Sequence, residues 1–353
     1  MFYKHILKPI LFKFNPEFVH DCFITFGELL GRFWLTRWLV DFAYGYHGKD
    51  VSKIVDGIRY QTPVLLSAGF DYNGRLTRIL SHVGFGGEEV GSVTARPCAG
   101  NTRPRLTRLP KQGSIIVNKG LKNDGVDVII KRLMKSNNQA TRNNNQKYAK
   151  FITGISIART NDEKSAESVQ AGIDDYLYSF KRLNEDGIGD FYTINISCPN
   201  AFGGETFAQP ELLEKLLGAL KAMPCTKPIY VKMPINLPWE KFDALLQIID
   251  KHGLHGVVIG NLNKDYSSLT NKSGVPIEYS GGLSGTPCKV LSTELIKKTR
   301  EKYGKRFTIM GVGGIMSPED AKEKFDAGAD LVQLITGMIF EGPGLIKRII
   351  KYQ

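Results

Sequence analysis

From residue 60 onward, short β-rich runs alternate with helical periods, and this alternation limits the possible folds more than any other feature. Eight runs read as strands: Val64–Ala68, Glu89–Val93, Ile152–Ile157, Tyr192–Ile196, Ile229–Met233, Val257–Gly260, Thr308–Val312 and Leu331–Ile335. Apolar residues at helical spacing cover 74–83, 122–135, 171–184, 211–222, 239–252, 290–303 and 318–327, with a last helix at 344–351. Strands that each feed a helix run parallel, so the pattern predicts an α/β chain closed as a (β/α)8 TIM barrel. The 353 residues suit one barrel of roughly 250 residues with an added N-terminal piece. The expected division is 1–47 and 48–353.

Residues 1–47 differ from the rest. Phe2, Ile6, Leu7, Ile10, Leu11 and Phe14 recur at helical spacing, with Lys4, Lys8 and Lys13 between them, until Asn15-Pro16-Glu17 breaks the pattern. A second apolar run extends from Phe18 to Leu39, interrupted by Asp21, Glu28, Arg32 and Arg37. No uncharged stretch reaches the roughly 18–20 residues that a membrane span needs. Two readings stand side by side: a segment lying in a membrane interface, or a helical hairpin packed on the barrel.

Lys and Arg outnumber Asp and Glu by 47 to 35, which suits phosphates, carboxylates or an acidic membrane surface. The positive charge forms no cluster interleaved with aromatics, so nucleic acid is not an expected partner. Five scattered cysteines without a CxxC pair argue against a disulfide framework and a metal centre. No signal peptide is readable at the N-terminus. The connections at 94–121 and 261–289 exceed plain turns, and such loops at the carboxyl ends of strands usually carry function. Residues 136–150 read as a solvated surface insertion.

The stretch Tyr192-Thr-Ile-Asn-Ile-Ser-Cys-Pro-Asn200 delivers Asn195 on a strand and then breaks, leaving a thiol and amides where barrel active sites are built. A thiol has a reference pKa of about 8.5, near enough to neutral for Cys198 to act as a general base. Met310-Gly-Val-Gly-Gly314 ends one strand and Ile335-Thr-Gly337 the next, the order in which barrels cradle a phosphate. Lys232 lies on an otherwise apolar strand. Burying an ammonium is costly, so it calls for an electron-rich ligand such as a reduced flavin, or for an internal salt bridge. Asn118, Asn195, Asn200 and Asn261 fall at strand ends or in the first long loop, where their amides suit the alternating edge of a pyrimidine.

These residues stand within longer motifs: Ser67-Ala-Gly-Phe-Asp-Tyr-Asn-Gly74, Gly91-Ser-Val-Thr-Ala-Arg-Pro97, Asn195-Ile-Ser-Cys-Pro-Asn200, Gly281-Gly-Leu-Ser-Gly-Thr-Pro287 and Gly311-Val-Gly-Gly-Ile315. With them the chain resembles the dihydroorotate dehydrogenases, flavin enzymes of pyrimidine biosynthesis. The N-terminal extension and the run Gly100–Leu106 resemble the membrane-associated, quinone-reducing class. The resemblance implies FMN across the barrel mouth, its phosphate on Gly314 and Ile335-Thr336. Ala68, Gly69 and Gly285 then line the flavin, Lys232 sits beside its ring, and Tyr72, Ser92, Ser156, Asn195 and Gly260 are the remaining cofactor positions. Dihydroorotate would be held by Asn118, Asn195, Asn200 and Asn261, with Lys119, Gly120 and Leu121 in the substrate loop. Residues 1–47 would form a hydrophobic tunnel for quinone, peripheral on the cytoplasmic face of the membrane. A monomer is favoured.

Several positions depart from the family pattern. Cys198 stands where the quinone class has serine, and Tyr72 where a lysine is usual, with Lys119 or Arg159 as candidate replacements for that charge. The substrate loop is shortened to Asn118-Lys-Gly-Leu121. Ser156 replaces an asparagine, Ala158-Arg159 replaces Gly-Lys, and Gly260-Asn261-Leu262 replaces Thr-Asn-Thr.

Overall fold

The computed structural model describes residues 3–142, 151–198, 201–204, 206–269, 275 and 281–352, with no side chains described for 137–142. Near the N-terminus a wide helical turn, Tyr3–Leu7, runs into α1 (Lys8–Leu11). The break expected at Asn15-Pro16 is a helix start. Asn15 caps α2 (Pro16–Arg32) by accepting from Glu17 N at 2.9 Å and Phe18 N at 3.2 Å, and proline fits the first helical turn because it has no N–H to satisfy. The second apolar run is not one helix. Phe33 is extended (φ −105°, ψ 139°) and separates α2 from α3 (Trp34–Tyr44).

A hairpin of β1 (Lys53–Val55) and β2 (Ile58–Tyr60) leads into the barrel. The barrel strands are β3 (Val64–Leu66), β4 (Gly87–Val93), β7 (Ile152–Ile157), β8 (Phe191–Asn195), β9 (Ile229–Met233), β10 (Gly256–Ile259), β12 (Thr308–Val312) and β13 (Leu331–Leu334). They pair in chain order, all parallel, and β13 returns to β3 to close the barrel. β5 (Leu106–Leu109) and β6 (Ser114–Val117) lie in the first long connection, and β11 (Gly282–Gly285) lies in the second. The two connections pair with each other as a three-stranded antiparallel sheet, Leu283 opposite Ile116. No sequence period announces this sheet, because its partners are far apart in the chain.

Inward-pointing Leu65, Ile152, Phe191, Tyr230, Val258, Met310 and Leu331 fill the amino end of the barrel, where Val55 and Tyr60 of the hairpin plug it. Each such side chain stabilises the fold by about 1.5–3 kcal/mol when fully buried. The outward faces pack under the helices α4 (Val126–Arg142), α5 (Glu163–Ala166), α6 (Val169–Glu185), α7 (Pro210–Lys221), α8 (Trp239–Lys251), α9 (Lys289–Tyr303), α10 (Pro318–Asp326), α11 (Thr336–Glu341) and α12 (Gly344–Tyr352).

The helix expected over 74–83 is only a single 3-10 turn, Leu80–Val83. Gly74 takes φ +67°, and the Asp71 carboxylate accepts from Asn73 N and from Leu76 N at 2.6 Å. A side chain that captures local N–H groups diverts the backbone from a helix. The N-terminal α2 covers this side instead. Gly27 and Gly31 let it approach closely, since a Cβ on Gly27 would stand 2.6 Å from Leu76 Cδ2 and one on Gly31 would stand 3.1 Å from Arg78 Cβ. The start of the expected 136–150 insertion is helical, because α4 continues to Arg142; residues 143–150 lie outside the described residues.

Candidate active site

Glycine turns bring the carboxyl ends of β3, β11, β12 and β13 together. A Cβ on Gly69 (φ +110°) would meet only Ile335 Cδ1, at 3.6 Å. One on Gly285 (φ +77°) would come within 2.8 Å of Thr336 Cγ2, and one on Gly314 (φ +74°) within 2.4 Å of Lys289 Cβ. At a positive φ a side chain is strained, so these positions keep backbone bare along one rim. Thr336 donates toward the same rim, its Oγ1 2.9 Å from Ser284 Oγ. Of the positions expected around FMN, Gly69 lies against Ile335 and Gly285 against Thr336 and Gly113, while Gly314 is pressed on Lys289; only at Gly69 would a Cβ find open space.

Lys232 points into the barrel from β9 and donates to Ser67 Oγ at 3.3 Å. No ion pair holds it among the described residues, so the internal salt bridge weighed above is not observed directly. Burial pulls its pKa below the usual lysine range, opposed by the charges of Glu89 and Cys198. Beside it, Asn195 Nδ2 donates to Ser92 Oγ at 2.8 Å, and Ser92 Oγ lies 2.8 Å from Ser156 Oγ. Gly260 (φ +135°) completes this side, pressed against β12: a Cβ there would meet Val312 O at 2.0 Å.

Asn195 and Asn261 meet through Ser197. Asn195 Oδ1 accepts from Ser197 N at 3.1 Å and from Ser197 Oγ at 3.0 Å, while Asn261 Nδ2 donates to Ser197 Oγ at 2.7 Å. Tyr176 OH fixes the strand end by donating to Asn195 O at 2.8 Å. Cys198 is half-buried and lines a small pocket with Leu121, Arg159, Tyr176 and Asn195. Arg159 donates to Phe202 O and so ties down the turn after Cys198. Asn118 reaches the same turn by relay. It accepts from Asn101 Nδ2 at 2.7 Å, Asn101 Oδ1 accepts from Asn161 Nδ2 at 2.9 Å, and Asn161 Oδ1 accepts from Phe202 N. Gly120 O also accepts from Asn161, at 3.0 Å. Asn200, the fourth expected amide, lies outside the described residues.

Lys119 is not open to the pocket. Its Nζ is 3.0 Å from Glu17 Oε1 on α2 and 5.4 Å from the centroid of the Tyr72 ring. Thus a lysine charge does stand beside Tyr72, but it is held by a carboxylate. Burial pushes Glu17 up, yet its hydrogen bond from Lys119 and the charges of Lys119, Arg105 and Arg103 leave it below the usual range. His20 packs on Tyr72, ring centroids 5.3 Å apart, and its Nε2 lies 2.8 Å from Phe70 O. The outer surface of the N-terminal helices is apolar: Phe14, Phe18, Phe26, Phe33, Trp34, Trp38 and Phe42 are exposed. Among the described residues no helix is long and apolar enough to cross a membrane, and no cluster of metal-ligating side chains occurs.

The sequence reading missed Glu17 and Ser197. Glu17 carries no local signal, because its partners Arg103, Arg105 and Lys119 lie far along the chain; Ser197 carries none until the two asparagines are seen to share it.

A family model described as dihydroorotate dehydrogenase matches residues 51–352. The dihydroorotate dehydrogenase (quinone) of Gloeobacter violaceus is 35% identical over 350 residues, 98% of this chain and 92% of that protein. The dihydroorotate dehydrogenase (quinone) of Christiangramia forsetii is 36% identical, covering 98% of this chain and 97% of its own. The crystal structure of DHODH from Eimeria tenella in complex with ferulenol superposes with TM-score 0.80 at 27% identity, over 96% of this chain and 90% of that one.

Proposed function

The chain belongs to the dihydroorotate dehydrogenase family, and from this we propose that it oxidises (S)-dihydroorotate to orotate in pyrimidine biosynthesis, with a quinone as electron acceptor. The observation that supports the reading is that Cys198 and Asn195 line one small pocket at the end of β8, with Asn261 joined to Asn195 through Ser197. Gly69, Gly285 and Gly314 would offer FMN bare backbone, and Ala68, Ile335 and the Thr336 hydroxyl would complete its binding surface. When bound, FMN supplies the hydride acceptor and the carrier of two electrons to the quinone.

The side chains do the rest. Cys198 takes the C5 proton of the substrate as the C6 hydrogen leaves with its electron pair. Asn195 and Asn261, held rigid by Ser197, orient the pyrimidine edge, and Asn118 and Asn200 complete the set. Lys232 offsets negative charge gained at the ring beside it. The exposed aromatic face of α2 and α3 supports peripheral association with the cytoplasmic face of the membrane, where quinone dissolves.

An anaerobic titration tests this reading. The purified yellow protein should bleach with dihydroorotate and recover colour with a quinone analogue. Bleaching by dihydrouracil alone would favour a related FMN oxidoreductase of neutral dihydropyrimidines, a reading motivated by Tyr72 and by the capture of Lys119 by Glu17. A colourless protein that takes up no FMN would end both.

A further inference from the structure

The barrel interior above the amino-end plug is polar, and several of its polar atoms are unmatched. Strand register points Ser67, Glu89, Gly154, Thr193, Lys232 and Gln333 inward, for Glu89 pairs with Gly154, Thr193 with Tyr230, and Gln333 with Leu65. Glu89 is 1% exposed, and Thr193, Gln333 and Tyr60 are fully buried. Both Glu89 carboxylate oxygens, Thr193 Oγ1, Gln333 Oε1 and Tyr60 OH have no hydrogen-bond partner among the described residues. Native proteins rarely leave buried polar groups unmatched, and where several converge an ordered water commonly satisfies them. Glycine at position 154, next to Glu89, removes a side chain from this layer.

The two charged members belong together. Lys232 makes no ion pair within 4.0 Å among the described residues, yet the charge of Glu89 stabilises its ammonium against burial. An ammonium and a carboxylate that share a low-dielectric interior without touching need a polar bridge.

We propose that Glu89 is a positioning residue for the redox reaction: through a small cluster of buried water bound by Glu89, Thr193, Gln333 and Tyr60, it holds the Lys232 ammonium in place for the flavin that the site would bind. This rests on the FMN reading above. The groups facing Lys232 are Glu89 from β4, Ser67 from the end of β3 and the Cys198 thiol from the loop after β8. Without the Glu89 charge, the desolvated lysine sheds its proton rather than remain an isolated buried cation. The charge that favours electron uptake by the ring is then lost, and returns only on acidification.

The test uses Glu89→Gln in the full chain, purified with FMN, and reads the flavin midpoint potential against pH. The expected result is a tenfold or greater weakening of reduction near neutral pH, about 30 mV lower for a two-electron couple, recovering toward wild type in acid. An unchanged potential and pH profile in a folded, flavin-loaded variant overturns the proposal. Should Glu89→Gln fail to fold, Thr193→Val is read the same way: it keeps the charge but removes a water-binding hydroxyl, and an unchanged potential overturns the water bridge. An X-ray structure of the unmodified chain adds a measurement that does not need FMN. Ordered water on the Glu89 oxygens and Thr193 Oγ1 supports the proposal, and a dry, directly bonded Glu89–Lys232 pair overturns it. Failure to bind FMN at all would instead count against the functional reading.

Discussion

Lys119 and Glu17 join the loop after β6 to the N-terminal helix α2. Their Nζ–Oε1 distance is 3.0 Å, and the two side chains are only 6% and 7% exposed. Arg105 Nη1 shares the same carboxylate oxygen at 3.3 Å. One acidic side chain thus faces a buried lysine and a half-buried arginine at the seam between the N-terminal helices and the barrel.

Removing one partner of such a pair leaves uncompensated charge inside the protein, at a cost of about 3–5 kcal/mol. Glu17→Gln should destabilise the chain by about 3 kcal/mol, a loss readable as a fall in the denaturant midpoint. It should also loosen the loop carrying Asn118, raising KM for the pyrimidine more than it lowers kcat. A variant with unaltered stability would show that α2 is not held by this pair.

The pH dependence follows from the sign of the shifts. Glu17 sits below the usual carboxylate range, and the hydrogen bond from His20 brings Asp21 down to about 2, against burial. A carboxylate whose folded pKa is depressed contributes stability that is fully present above its unfolded value, about 4, and is lost as pH falls through the folded value. Wild type should therefore lose more stability than Glu17→Gln between about pH 5 and about pH 2. Parallel loss in both proteins would remove Glu17 from the acid response.

Cys198→Ala should slow flavin reduction by dihydroorotate by about 10²–10⁴-fold, the usual contribution of a general base. FMN should stay bound, because the glycines expected around it lie at other strands. Stopped-flow bleaching under anaerobic conditions measures this directly. Retained full-speed reduction would exclude the thiol as base.

Gly69→Ala addresses the expected cofactor site alone. Its Cβ meets no protein atom nearer than Ile335 Cδ1 at 3.6 Å, so the protein itself has room. The cost to the fold is the strain of a positive φ, about 1–3 kcal/mol. The methyl group should weaken FMN retention beyond that strain, seen as faster loss of flavin on dilution. Equal retention would place the ring elsewhere.

The membrane reading turns on exposed aromatics. Each large apolar side chain fully buried in lipid contributes about 1.5–3 kcal/mol. Replacing Trp34, Trp38 and Phe42 together by serine should therefore cut sedimentation with anionic lipid vesicles by at least about tenfold, while flavin content is kept. Undiminished binding would assign the contact to another surface.

Much of this protein was written locally. The strands Ile152–Ile157, Ile229–Met233 and Thr308–Val312 have the bounds their β-rich runs predicted, and Asn15-Pro16 starts a helix as its chemistry demands. Closure of the barrel followed from the alternation alone, because parallel apolar strands must be covered on their outer face. The glycines Gly69 and Gly314 follow strands that the alternation predicted, β3 and β12.

The remaining features were non-local. The segment 74–83 has helical spacing but lost its helix to Asp71 and to the close approach of α2 at Gly27 and Gly31. β5, β6 and β11 found one another across the two long connections. Lys119, expected in the substrate loop, is paired with Glu17 from the distant α2. Local spacing fixes which face of a strand or helix is apolar, whereas the partner of a charge depends on which distant segments the closed barrel brings within a few ångströms.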